Sequence, residues 1–93
     1  KDLLQRKSEI YIWGAGPTGE KVLKYLKINI KGFIDSNEQL VGKSFLGKKI
    51  FQISQIDKNP NIGIIICSGH YKEITNLLIE KGYTEKEDFV HQM

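Results

Sequence analysis

The sequence is poor in cysteine and proline, with one Cys and two Pro, and it has no long apolar run. A lone Cys67 excludes an internal disulfide and is compatible with a reducing cytosol, so a cytoplasmic location is the expectation. The apolar stretches fall well short of the roughly 18–20 residues of a membrane span, and no signal-peptide pattern opens the chain. Neither sign of charge dominates: 14 Lys and Arg stand against 11 Asp and Glu, a net charge of only +3, and the basic residues are scattered. A nucleic-acid footprint needs a denser basic stripe with interleaved stacking aromatics, so nucleic acid is not an expected partner.

Residue patterns for chemistry are missing as well. No Cys/His spacing suits a metal, no G-x-S-x-G elbow surrounds Ser68, and no Walker A lysine follows the glycines. Tyr11, Tyr25, Tyr71 and Tyr83 all lack the lysine four residues on that a short-chain dehydrogenase or epimerase carries. No catalytic and no metal-binding residue is therefore assigned. Binding is easier to defend than catalysis.

What is present is an alternation of short elements in 93 residues, enough for one small domain that buries roughly 60–65% of its unfolded surface. The chain opens on Lys1 and its single Met is Met93, which reads as a piece of a longer polypeptide. Residues 1–8 read as an N-terminal tail or the end of an upstream helix, and residues 9–93 as one domain. Residues 9–13 (EIYIW) predict a buried strand. A helix follows from Pro17 to about Lys27, with Val22, Leu23 and Leu26 on one face. Residues 31–35 (KGFID) predict a second strand ending in an acid. Between Ser36 and Asn61 the pattern weakens: Gly42 and Gly47 mark turns, KKIF suggests a short edge strand, and SQID a capped turn of helix. The strongest strand signal is the isoleucine-rich run over residues 62–67, whose consecutive isoleucines imply burial on both faces. Residues 70–81 predict an amphipathic helix with Ile74, Leu77 and Leu78 inward, stopped by Gly82, and a last strand is expected near Asp88–Val90.

This order implies a three-layer α/β fold with an open parallel sheet of about four to five strands. Right-handed crossovers place the first and the isoleucine-rich strands side by side, and ligands of such sheets sit outside the carboxyl ends at that switch point. There the chain carries GAGPTG, DSN and SGHY.

Gly14-Ala15-Gly16-Pro17-Thr18-Gly19 fits G-x-G-x-x-G. Gly14 permits the turn out of the strand, Gly16 lets a pyrophosphate approach the backbone, and Gly19 lets the helix pack close to the sheet. The N–H groups of Gly16, Thr18 and Gly19 then point toward an anion at the positive end of the helix, while Pro17 supplies none. Asp35 follows about 20 residues on, where an acid accepts hydrogen bonds from ribose hydroxyls and its charge disfavours a 2′-phosphate. Each feature also has a plainer account. The glycines suffice for a tight turn and close packing, Asp35 suits a turn with Ser36 and Asn37, and Cys67 suits a buried strand thiol. His70 suits a capping or exposed place, and Ser68 with Gly69 either an N-cap or a second loop offering N–H groups.

The segments YIWGAGPTGEKVLKYL, IKGFIDSNEQLVGKSFLGKKI and IIICSGHYKEITNLLIEKGY, spanning Glu9 to about Tyr83, together resemble small Rossmann-like domains of bacterial sugar-modifying enzymes. The similarity is to the N-terminal domain of the sialic-acid and bacillosamine acetyltransferases and to the C-terminal domain of sugar C-methyltransferases. It implies a nucleotide-sugar site, with Gly14, Gly16, Thr18 and Gly19 at the phosphates and Asp35, Ser36 and Asn37 at ribose or base. Ser68, Gly69, His70 and Tyr71 are implied to face the same crevice. The chain departs from the acetyltransferases in Pro17 and Thr18, and it has no left-handed β-helix. Similar pieces occur in sugar dehydratases and beside methyltransferases and glycosyltransferases, so the reaction of a parent protein stays open. The implied partners are a nucleotide-type small molecule, a nucleotide-sugar or NAD, and a neighbouring domain of the same chain, with homo-oligomers left open. The competing readings are a scaffold module with a degenerate loop and an NAD-binding half-domain.

Overall fold

The computed structural model describes residues 2–92. The reading of Lys1 and Met93 as cut ends falls on two residues outside that range. Among the described residues six strands form one sheet in the order β3-β4-β2-β1-β5-β6. These are β1 (Glu9–Trp13), β2 (Gly32–Ile34), β3 (Ser44–Phe45), β4 (Lys48–Phe51), β5 (Ile62–Ile66) and β6 (Phe89–His91). All neighbours run parallel except β3 and β4. β1 lies between β2 and β5, as right-handed crossovers require.

The period-two alternation of β1 divides the core between the two faces of the sheet. Tyr11 and Trp13 join Ile34, Ile64, Ile66 and Phe89 in one cluster, closed by Ile74 and Leu78 of α3 (Tyr71–Glu80). Ile10 and Ile12 join Phe33, Ile65 and Cys67 in the other, closed by Val22 of α2 (Pro17–Leu26). Every residue of β5 is buried. Helices on both faces thus give the three-layer α/β arrangement.

The sheet has one strand more than the four to five expected, because β3 folds back on β4. Leu46 (φ 53°) and Gly47 (φ 80°) make a two-residue turn with both φ values positive, which matches strand twist in a hairpin. Leucine is a poor sequence signal for that conformation. In consequence KKIF is not the edge strand; β3 is. The connection from β4 to β5 holds only a 3-10 turn at Ile53–Gln55, where the Gln55 side chain accepts from the Gln52 N–H at 2.8 Å. Gly82, at φ 95°, ends α3 as expected.

The N-terminal segment is built into the domain. α1 (Leu3–Arg6) is one turn capped by the Asp2 side chain, and Leu3 is buried in the α2-side cluster. Beyond it the Lys7 ammonium donates to the Pro60 carbonyl (2.7 Å) and to Asp88 Oδ1 (2.9 Å), while Asp88 Oδ2 accepts from the Thr84 N–H (2.8 Å). Arg6 donates to the carbonyls of Lys86 and Glu87, both at 2.9 Å. The 84–88 loop is therefore latched to the first residues of the chain.

Burial alone would raise the Asp88 carboxyl. The Lys7 and Thr84 hydrogen bonds and the charges of Lys7 and Lys58 outweigh it and hold Asp88 below the usual carboxylate range. A depressed carboxylate contributes stability that is present above its unfolded pKa and is lost as pH falls through the folded one. Urea unfolding should accordingly show stability dropping below about pH 4, with Asp88→Asn removing part of that dependence. Lys7→Met, which leaves the largely buried Asp88 without its hydrogen-bonded cation, should cost about 3 kcal/mol in the same measurement at pH 7.

Candidate functional site

Sheet register brings the candidate loops to one level. Trp13 pairs with Ile34 on one side and Ile66 on the other, so Gly14, Asp35 and Cys67 leave the sheet together at its carboxyl edge. Gly14 donates its N–H to the Ile34 carbonyl and Cys67 donates to the Trp13 carbonyl, both at 2.8 Å. The chain then turns into α2, whose first intrahelical bond is Glu20 N–H to Gly16 carbonyl at 2.9 Å. The N–H groups of Gly16, Thr18 and Gly19 precede that bond and lie at the positive end of the helix.

The three loop glycines have different reasons to be there. Gly14 sits at φ 126°, and a Cβ on it would lie 2.5 Å from the Cys67 carbonyl oxygen. A Cβ on Gly19 would lie 2.1 Å from the Gly14 oxygen. Both are demanded by the fold. Gly16 is extended (φ −154°, ψ −164°), and a Cβ there would meet nothing within 4 Å. It is also the N-cap of α2 with no side-chain cap, a place where Ser or Asp would serve the helix better. Gly69, beyond β5, likewise has an ordinary φ and open space beside it. Of the nine glycines, seven are held by crowding or by a positive φ; the two that are not are Gly16 and Gly69, at the ends of the paired strands β1 and β5.

Asp35 is half-buried at the end of β2. Its Oδ2 accepts the Ala15 N–H at 3.0 Å and its Oδ1 accepts the Asn37 N–H at 2.9 Å. The turn with Asn37 is thus real, and the carboxylate in addition reaches across to the glycine loop. Asn37 spends its own Oδ1 on the Gln39 N–H (3.0 Å) and so continues the turn. Pro17 and Thr18 are exposed on the first turn of α2.

A crevice of about 290 Å³ opens between the ends of β1, β2 and β5. Ser36, Ser68, His70 and Glu73 supply its polar groups over an apolar floor of Trp13, Ile74 and Leu77. The Ser68 hydroxyl accepts the His70 N–H at 3.1 Å, and His70 occupies the N-cap position of α3 without a side-chain cap bond. Gly69 and the residues of the glycine loop are not among those that line this crevice and, contrary to expectation, neither is Tyr71. Its ring stacks on His91 (centroids 4.0 Å apart, 12° between planes) and lines a second cavity, about 390 Å³, with Lys72, Asn76 and Glu85. The cause is the first turn of α3, which carries residue 71 round to the β6 side while residues 73, 74 and 77 face β1. Trp13 and Glu73 were not singled out in the sequence. The signal for Trp13 was its place as last residue of β1, and for Glu73 its place in the first turn of α3.

Burial pushes the Cys67 thiol up to about 11, which keeps it protonated at neutral pH and agrees with a structural strand thiol. Among the described residues no three His, Cys, Asp or Glu side chains gather as a metal site. No described helix is long and apolar enough to cross a membrane.

The chain belongs to the family described as C2185-like, N-terminal, whose model matches residues 6–88. No curated protein matches it. Among solved structures it is similar to one titled as RSP in complex with beta-NAD+ and operator DNA, with a TM-score of 0.64 and 19% identity. The match covers 96% of this chain and 51% of that one, so the chain spans about half the neighbour's length. That likeness bears out the Rossmann-like fold. Neither match is described as an acetyltransferase or methyltransferase. Because the neighbour's complex holds DNA, the exclusion of nucleic acid drawn from the charge pattern gains no support.

Alanine substitutions should separate the glycines. Gly14→Ala and Gly19→Ala are expected to lose about 3 kcal/mol in denaturant unfolding through overpacking. Gly16→Ala should lose no more than about 1 kcal/mol, the N-cap effect. At His91 the Nε2 atom is buried with no hydrogen-bond partner among the described residues. His91→Phe, which keeps a ring against Tyr71, should be neutral or stabilising by about 1 kcal/mol.

Proposed function

We propose that this C2185-like, N-terminal domain binds a nucleotide, holding its diphosphate against the glycine loop at the start of α2. The observation that carries the reading is the pair Gly16 and Gly69. Neither is needed for packing or backbone conformation, and both flank the carboxyl ends of the central strands. A side chain at either place would occupy the space through which a ligand reaches backbone N–H groups. Asp35, Ser36 and Asn37 stand on the nucleoside side, and Ser68, Gly69 and His70 on the other. At about 290 Å³ the crevice is smaller than the pockets that enclose drug-sized ligands, so it accepts one ring while the remainder of the ligand lies along the loop.

The resemblance to domains of sugar-modifying enzymes supports a nucleotide-sugar as that ligand and a larger bacterial transferase of surface-glycan synthesis as the cytoplasmic parent. In that setting the domain positions the substrate and a neighbouring domain performs the chemistry. NAD is the second reading, favoured by the beta-NAD+ named for the similar solved structure.

Separate amide chemical-shift titrations with a UDP-sugar, a CMP-sugar, NAD and coenzyme A test the proposal. Saturable shifts at Gly16, Thr18, Gly19 and Gly69 with one of them are expected, and Gly16→Val should weaken that ligand at least tenfold, about 1.4 kcal/mol, while the domain remains folded. Flat responses to all four at millimolar concentration would replace this reading with the scaffold one.

A further inference from the structure

We infer that Asp35 is a positioning residue that clamps the glycine loop in its ligand-ready shape, rather than chiefly a reader of ribose hydroxyls. The inference rests on the nucleotide-binding reading above and concerns how the same site is prepared. The backbone of Asp35 is itself fixed, because its N–H donates to the Phe51 carbonyl of β4 at 3.0 Å. From that anchored place its two carboxylate oxygens reach in different directions: Oδ2 to the Ala15 N–H in the glycine loop, Oδ1 to the Asn37 N–H. Ala15 lies between Gly14, whose positive φ only glycine adopts readily, and Gly16, which has open space beside it, so the bond on its N–H fixes the loop as it rises from β1 toward the helix terminus.

A carboxylate suits this task because it accepts on both oxygens, while the isosteric amide has one acceptor and one donor group. Bonds from N–H groups to a charged acceptor are also stronger than neutral ones. The negative charge stands beside a proposed anion site, where simple electrostatics alone would make Asp35 a hindrance to diphosphate. The clamp therefore makes a prediction opposite in sign to charge repulsion.

Inorganic pyrophosphate separates the alternatives, since it has phosphates and no ribose. In Asp35→Asn one of the two N–H groups loses its acceptor, so hydrogen exchange at Ala15 or Asn37 should accelerate roughly tenfold. Pyrophosphate affinity, read by chemical-shift titration, should fall severalfold despite removal of a negative charge. Unchanged exchange at both amides would overturn the clamp. Faster exchange with equal or tighter pyrophosphate binding would overturn the positioning role and leave Asp35 as a ribose reader or turn residue. Faster exchange in a protein whose wild type binds neither pyrophosphate nor any nucleotide would overturn the nucleotide reading while the clamp itself stands. Should Asp35→Asn fail to fold, Asp35→Glu, which keeps the charge on a longer arm, is expected to move the Ala15 amide resonance and weaken pyrophosphate in the same way.

Discussion

The distance between α2 and the sheet is set by one contact, the Cα of Gly19 against the carbonyl oxygen of Gly14. No side chain fits between them, since even a Cβ would come within 2.1 Å. Because the helix lies this close, Val22 enters the core beside Ile12, and the first turn of α2 stands directly over the end of β1. The same approach aims the helix N-terminus into the space beside Gly16. Gly14 and Gly19 are thus accounted for by packing alone. Gly16 and Gly69, by contrast, are not required by packing.

The rest of the domain serves to hold β1 in the centre. β5, buried on both faces, pairs along the whole of β1, and β2 pairs on the other side. The small size of the domain leaves little surplus core, and charged groups take part in closing it. The largely buried side chains of Lys7 and Asp88 join residues far apart in the chain, and Arg6 reaches the same loop through backbone carbonyls. An ion pair so placed contributes less by Coulomb attraction than by the penalty for breaking it.

Beyond the carboxyl edge the start of α3 separates two cavities, one lined by Ser36, Ser68, His70 and Glu73 and the other by Tyr71, Lys72 and His91, while the glycine loop and Asp35 line neither. Asp35 links two segments of that edge through its bonds to Ala15 and Asn37, so the loop is ordered by the protein itself. Such preorganisation lowers the ordering cost of binding. It also changes the meaning of an acid at the end of the second strand: its presence in a sequence is compatible with ribose recognition, a turn or a loop clamp, and only the bonds it makes separate them.

Much of the architecture was legible in local pattern. The period-two stretch at 9–13, the isoleucine run, the two amphipathic helices and Gly82 each carry a signal within a few residues, and parallel order follows from their alternation with chain handedness. The β3–β4 hairpin was not legible, because its turn uses Leu46 in a left-handed conformation that leucine rarely signals. The latch of Lys7 on Asp88 joins the two ends of the chain, so no window of sequence contains it. For the site, local pattern was enough to say which residues reach the carboxyl edge, since strand ends and glycine spacing are local properties. That Tyr71 turns to His91, that Asp35 holds Ala15, and that Gly16 and Gly69 face open space emerge from the folded chain. Those depend on distances between separate segments, which register and helix rotation set and residue identity does not.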